Sequence, residues 1–163
     1  MQEIHLVGIN HKTSKVSDRE RFIVDDSNII YLNDYLLSKL GSKISGFFGL
    51  STCNRTEIYY YGDEGIDLDV LKLTKEALNI SDIPDKNFYI YNDKDAFEHM
   101  CRVCCGIDSQ VVGEQEIFGQ FKNAYRSAKA FNIVSKELTL YVEKVFEITK
   151  KVRTDTKIGI NPL

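Results

Sequence analysis

The first ninety residues carry alternating and helical patterns of apolar positions, which predict strands and helices in a definite order. Glu3 to Ile9 alternates and is rich in aliphatics, so it is predicted to form a strand. Apolar residues lie three and four apart between Ser27 and Gly41. This spacing predicts a helix that ends at the glycine. Further strands are predicted over 44–50, 56–61 and 87–91, and a further helix over 67–78.

The order strand, helix, strand, strand, helix, strand is that of a ferredoxin-like α+β fold, with helices on one face of an antiparallel sheet. Ser17 and Glu20 are spaced as a capping box and predict one additional short helix. Longer helices are predicted afterwards over 93–105, 114–131 and 135–156. The last one would span about 30 Å, which suits a spacer. We therefore expect a domain over 1–134, and a long helix with the start of a linker over 135–163.

Composition and charge limit the class of protein. The 163 residues are 43% hydrophobic with only two prolines, enough for one well-buried core. No run of eighteen apolar residues and no signal pattern occurs, so a cytoplasmic protein without a membrane partner is expected. The net charge of −3 argues against indiscriminate nucleic-acid binding. Residues 114–163, with nine basic and six acidic side chains, could face a polyanion, although a solvated helix face explains them equally well.

The most reactive chemistry lies in the predicted connection between the strands over 44–50 and 56–61. Cys53 is set there among hydroxyl and amide side chains, and Arg55 follows two positions later. If the chain is extended, the two side chains share a face. A cation near a thiol raises the fraction of nucleophilic thiolate, and a guanidinium can also bind a carboxylate through two hydrogen bonds. The alternative is a small buried residue at a sheet turn.

Four segments together resemble one enzyme family. The run Ser-Thr-Cys-Asn-Arg-Thr-Glu-Ile-Tyr over 51–59 resembles the signature of glutamyl-tRNA reductases. Gly-Ile-Asn-His-Lys-Thr-Ser over 8–14 resembles the N-terminal motif of that family, and Gly-Ile-Asp-Ser-Gln-Val-Val-Gly-Glu over 106–114, continuing to Gly-Gln at 119–120, resembles its central motif. Arg-Thr-Asp-Thr-Lys-Ile-Gly over 153–159 resembles the segment that closes the catalytic domain.

The resemblance implies a mechanism and a set of site residues. Cys53 would attack the ester that joins glutamate to the 3′ end of tRNA(Glu), and NADPH would reduce the thioester to glutamate-1-semialdehyde for tetrapyrrole, hence porphyrin and haem, synthesis. Arg55 would bind the free carboxylate of the glutamyl group, and His99 would orient groups or transfer a proton. The implied substrate-binding residues are Thr52, Asn54, Arg55, Ser109, Glu114, Gln115, Glu116 and Gln120. Glu116 stands where the family carries glutamine, and a carboxylate there disfavours a nearby thiolate.

His99 is predicted to lie away from the core. At 100° per residue it is about 200° from Phe97, whose apolar stripe continues through Met100, Cys101 and Cys104. Either an exposed histidine or one lining a cleft near Cys53 fits that position, and the resemblance favours the second.

The cysteines at 101, 104 and 105 are interpreted as packing residues. They cannot face one ion together with His99 from a single helix, so no metal site is predicted.

The sequence contains no Gly-x-Gly-x-x-Gly motif, so NADPH is expected to be bound by a domain absent from this chain. The resemblance also implies glutamate-1-semialdehyde aminomutase as a partner, and a homodimer formed through a domain that is missing. Two alternative functions remain: a cysteine-dependent ester hydrolase or acyltransferase, and a noncatalytic tRNA-binding module.

Overall fold

The computed structural model describes residues 1–107 and 116–156. Four strands form its sheet: β1 (Gln2–Asn10), β2 (Ile44–Ser51), β3 (Arg55–Asp63) and β4 (Tyr89–Asn92). Six helices accompany them: α1 (Val16–Arg19), α2 (Ile29–Leu40), α3 (Asp67–Ala77), α4 (Asp93–Cys104), α5 (Glu116–Ala130) and α6 (Lys136–Thr156). Short 3₁₀ turns lie at Gly41–Lys43 and Asp85–Asn87. None of the helices within these residues is long and apolar enough to cross a membrane.

The sheet has the strand order β2-β3-β1-β4, and every neighbouring pair is antiparallel. This is the order that a ferredoxin-like connection of the elements produces, so the predicted fold class is confirmed. β1 and β3 pair along their whole length, from Gln2 opposite Asp63 to Asn10 opposite Arg55. Gly41 ends α2 with a φ of +57°, as its position in the sequence predicted.

Helices cover both faces of the sheet. On one face α2 and α3 pack on the strands, as predicted. On the other, the rings of Phe48 and Tyr59 lie 5.5 and 5.3 Å from the ring of Phe121 in α5, and α4 and α6 also contact strands of the sheet. Leu138, Val142, Val145 and Thr149, which lie three or four residues apart along α6, are buried. The C-terminal helices therefore complete the core, which the prediction of helices on one face did not include.

The predicted capping box of Ser17 and Glu20 is wrong. α1 begins at Val16 with Lys15 at the N-cap position, so Ser17 lies inside the helix and no capping box forms. Asp93 is the first residue of α4, and Asn92 takes the N-cap position without a capping hydrogen bond. The Asn92 side chain is engaged elsewhere, because its Oδ1 lies 2.8 Å from Nδ1 of His5.

His5 is buried on the α3 side of the sheet among acceptors only. Its Nδ1 lies 2.9 Å from Oδ1 of Asp67 as well as close to Asn92, and its Nε2 lies 3.1 Å from the carbonyl oxygen of Gly62. Both ring nitrogens must therefore donate, which only the imidazolium can do. Burial alone would lower the pKa of His5, but the hydrogen bonds to Asp67 and Asn92 raise it to about 8.

Candidate active site

Cys53 lies in the turn that joins β2 to β3, and its side chain is exposed. The turn is closed by the Thr52 N–H, which donates to the carbonyl oxygen of Arg55 at 2.8 Å. The Asn54 N–H donates to Oγ1 of Thr52 at 3.2 Å. A nucleophilic thiol needs access to its substrate, and this placement provides it.

Neighbouring segments hold the turn in position. The His11 N–H, just beyond β1, donates to the carbonyl oxygen of Asn54 at 2.9 Å. At the base of the turn the hydroxyls of Ser51 and Thr56 are hydrogen-bonded at 2.9 Å, and the Val24 N–H donates to Oγ of Ser51 at 2.8 Å. The exposed Cys53 thiol therefore lies on a turn that hydrogen bonds from neighbouring segments hold in place.

Arg55 points into the protein, where only 1% of it is exposed. Its Nη1 donates to Oε2 of Glu57 at 3.1 Å, because residues two apart on β3 share a face. A substrate carboxylate bound by Arg55 would therefore share the guanidinium with Glu57.

Glu57 is the centre of a buried polar cluster. Its carboxylate accepts hydrogen bonds from four side chains, of Arg55, Tyr59 at 2.6 Å, Tyr89, and His99 through Nε2 at 2.5 Å. Burial alone would raise the pKa of Glu57, but the positive charge and hydrogen bond of His99, followed by Arg55, lower it to about 2. We call these five residues the Glu57 cluster; they link β3, β4 and α4.

Gly8 makes room for the Glu57 carboxylate. A Cβ at Gly8 would lie 2.7 Å from Cγ of Glu57 and 2.9 Å from the carbonyl oxygen of Thr56. Since the second neighbour is backbone, it cannot swing aside. The glycine at position 8, in the segment 8–14, is therefore explained by Glu57, in the segment 51–59.

His99 is buried, with 8% exposed, and the predicted position away from the core is wrong. The buried positions of α4 are Ala96, His99, Met100, Val103 and Cys104. Because Ala96 and Val103 are three and four residues from His99, they centre the buried face near it and leave Phe97 at the margin. The imidazole stacks on the ring of Tyr91, with centroids 4.8 Å apart, and Nε2 is hydrogen-bonded to Glu57.

The remaining predicted site residues fall into two groups. Gln120 of α5 is exposed and lines a cleft of about 500 Å³ together with Ser51 and the 24–29 segment, beside the Cys53 turn. Glu116 is the exposed first residue of α5. Ser109, Glu114 and Gln115 lie outside the described residues.

The three clustered cysteines of α4 and its end lie in or at the edge of the core. Cys104 is fully buried, and burial raises the pKa of its thiol. The Cys105 thiol lies 4.0 Å from Oγ1 of Thr149 in α6. Within residues 1–107 and 116–156 no group of three His, Cys, Asp or Glu side chains could hold a metal ion.

Comparison with known proteins assigns the family. The family model for the N-terminal domain of glutamyl-tRNA(Glu) reductase matches residues 7–156. The chain belongs to the glutamyl-tRNA reductase family. It is 37% identical over 159 residues to a glutamyl-tRNA reductase of Marinobacter nauticus, covering 96% of this chain and 36% of that protein. It is 38% identical over 158 residues to that of Ectopseudomonas mendocina, covering 96% and 37%.

A solved structure, glutamyl-tRNA reductase from Methanopyrus kandleri, has the same fold with a TM-score of 0.77 and 27% identity, covering 95% of this chain and 35% of that one. The chain thus spans about a third of the length of these glutamyl-tRNA reductases.

Sequence reasoning missed three residues of the candidate site in this member of the glutamyl-tRNA reductase family: Glu57, Tyr59 and Tyr89. A signal for the first two exists, because Arg55, Glu57 and Tyr59 alternate along one strand and must share a face. Tyr89 joins them only through the pairing of β1 with both β3 and β4.

Proposed function

We propose that this chain is the part of a glutamyl-tRNA reductase that takes glutamate from glutamyl-tRNA onto Cys53. The observation that carries the proposal is the exposed Cys53 thiol on an ordered turn, two residues before the buried Arg55 of the Glu57 cluster. An exposed nucleophile on a turn that leads into a fixed cation suits capture of an anionic acyl group.

The covalent step is an acyl transfer. The thiolate of Cys53 attacks the carbonyl carbon of the glutamyl ester and forms a C–S bond. The C–O bond to the terminal ribose then breaks, the ribose oxygen takes up a proton, and tRNA leaves. The product is a glutamyl thioester on Cys53.

The Glu57 cluster positions groups for this step. Oε2 of Glu57 is bound to both Arg55 and His99. The guanidinium would therefore meet the γ-carboxylate of the glutamyl group, which the ester at the α-carboxyl leaves free, in one defined orientation. Nε2 of His99 is already engaged by Glu57, so any proton transfer to the ribose oxygen would use Nδ1. Otherwise His99 acts by positioning Glu57. Thr52, Asn54, Ser109, Glu114, Gln115, Glu116 and Gln120 are proposed to complete the substrate site.

The residues of this chain do not fit a nicotinamide dinucleotide. Such sites form at the carboxyl ends of parallel strands, with a glycine-rich turn leading into a helix. The described sheet is antiparallel, and the sequence lacks the glycine-rich motif. We therefore assign no reduction step to these residues and propose that NADPH acts from a part of the full-length protein outside this chain, to give glutamate-1-semialdehyde for tetrapyrrole synthesis.

The test is capture of glutamate. The protein is incubated with glutamyl-tRNA and quenched in acid, and its intact mass is measured by mass spectrometry. The mass of the wild type should increase by one glutamyl group, and that of Cys53→Ala should not change. An adduct that persists in Cys53→Ala would place the nucleophile elsewhere. The chain alone should release no aldehyde, with or without NADPH. Turnover of small activated esters without a hydride donor would instead support a hydrolase, and tRNA binding without any adduct a noncatalytic module.

Further properties are proposed from the sequence pattern and the family resemblance. They are a cytoplasmic location, a homodimer formed through another domain, glutamate-1-semialdehyde aminomutase as a partner, and a division into a catalytic domain over 1–134 and a helix with linker over 135–163. Size-exclusion chromatography of a full-length protein, with and without the aminomutase, tests the two assemblies.

A further inference from the structure

A basic cleft of about 590 Å³ lies between the loop after β1 and the 3₁₀ turn before β4. Three lysines line it, Lys12, Lys15 and Lys86, and all three are exposed. None of them forms an ion pair with another described residue. The only acidic side chain in the lining is Asp18, which accepts a long hydrogen bond of 3.5 Å from Asn87. The cleft is therefore locally positive, and polar groups of Thr13, Ser14 and Asn87 add hydrogen-bonding capacity.

The loop that carries Lys12 and Lys15 is ordered. The Lys12 N–H donates to Oδ1 of Asn10 at 2.9 Å, and the Ser14 N–H donates to the Asn10 carbonyl oxygen at 3.0 Å. Arg19 closes the loop by donating from Nη1 to the carbonyl oxygen of Ser14 at 2.6 Å. Two of the lysines thus project from a fixed backbone, which reduces the entropy lost when they bind a ligand.

The same loop is joined to the Cys53 turn. The His11 N–H donates to the carbonyl oxygen of Asn54, so Lys12 is separated from Cys53 by two chain steps and one hydrogen bond. With about 3.8 Å between consecutive Cα atoms, this places the two Cα atoms within roughly 15 Å of each other. A ligand that reacts at Cys53 can therefore reach the cleft with a neighbouring part of the same molecule.

We infer that this cleft binds phosphates of the unpaired nucleotides at the 3′ end of the substrate tRNA, an inference that rests on the proposed function. The glutamyl ester sits on the terminal ribose, so when its carbonyl meets Cys53 the phosphates nearest to Cys53 are those of the last nucleotides of the RNA. Unpaired lysines bind phosphates as point charges, without regard to the base.

The overall charge of the sequence hides this surface. Residues 1–113 hold more acidic than basic side chains, and the pattern along the chain points instead to 114–163 as the part that faces a polyanion. Folding brings Lys86 beside Lys12 and Lys15, from a segment about seventy residues away.

The test compares the triple variant Lys12→Gln, Lys15→Gln, Lys86→Gln with wild type in tRNA binding at several salt concentrations. The slope of log K against log salt is negative, and each lost contact to a single-stranded phosphate reduces its magnitude by about 0.7. Loss of three contacts should therefore reduce the magnitude by about 2. Raising salt from 50 to 200 mM should then weaken wild-type binding about twentyfold more than that of the variant. The concentration of glutamyl-tRNA needed for half-maximal capture should rise accordingly.

The matched control is Lys39→Gln, Lys43→Gln, Lys72→Gln, which removes the same charge from exposed positions outside the cleft. Its salt slope should equal that of the wild type, and replacing the three cleft lysines by arginine should restore the slope. If wild type captures glutamate and the cleft variant matches it in salt slope and concentration dependence, the cleft assignment is wrong and the function stands. If wild type captures no glutamate, the proposed function fails and this inference with it.

Discussion

Replacing Glu57 by glutamine should destabilise the protein strongly, although the side chain keeps nearly the same shape. The substitution removes the negative charge of the Glu57 cluster and breaks the buried ion pair of that carboxylate with Arg55. Breaking a buried pair in this way typically costs about 3–5 kcal/mol.

The pKa of Glu57 gives an independent magnitude. A carboxyl whose pKa falls from 4.5 to about 2 on folding contributes about 3 kcal/mol at neutral pH. Because the folded pKa is the lower one, this contribution is complete above pH 4.5 and is lost as the pH falls towards 2. Wild type should therefore lose this stability over that range, and Glu57→Gln should already lack it at pH 7.

Urea unfolding at pH 7 and at several values between 4.5 and 3 measures both effects. Glu64→Gln serves as the control, because Glu64 is exposed and its loss should change the unfolding free energy by less than about 0.5 kcal/mol. A Glu57→Gln variant as stable as this control at pH 7, with the acid dependence of the wild type, would refute the role of Glu57 as the anion of the cluster.

Three other variants test separate parts of the structure. His5→Gln should remove at most about 2 kcal/mol of stability, which the wild type has below pH 6.5 and loses as the pH rises through about 8. The unfolding free energies of the two proteins should therefore converge at pH 9. A constant difference from pH 6 to 9 would contradict a folded state with His5 as an imidazolium. Gly8→Ala should cost about 1–3 kcal/mol of stability, because the new methyl group would crowd Glu57 and the Thr56 carbonyl. Gly119→Ala is the control and should not destabilise, since a Cβ there would have no packing neighbour among the described residues within 4 Å. Equal urea midpoints of the two variants would show that β1 can shift to make room. Arg55→Lys should raise the glutamyl-tRNA concentration needed for capture, since an ammonium lacks the paired donors of a guanidinium; unchanged capture kinetics would remove Arg55 from substrate binding.

The sequence predicts the elements well because apolar periodicity is local. β1 is an instructive case: its aliphatic run predicts a strand, and both of its faces prove to be buried. The contacts that decide the site are not local. Glu57 meets Tyr89 and His99, 32 and 42 residues away, only after the sheet has formed. A helical pattern shows which residues share a face of α4, but the face that is buried depends on the sheet beneath it. This is why the pattern alone places His99 on the wrong face.

The 42 residues between Glu57 and His99 have a consequence for folding in the cell. At a synthesis rate of about 5–20 residues per second, His99 leaves the ribosome roughly 2–8 s after Glu57. During that interval the Glu57 carboxylate has no imidazole to join, and the face of the sheet that α4 covers stays hydrated. We therefore expect the reactive turn to be in place well before its supporting cluster closes. In refolding experiments, protection of the Cys104 thiol from alkylation would time that closure, because this thiol becomes inaccessible only when α4 docks.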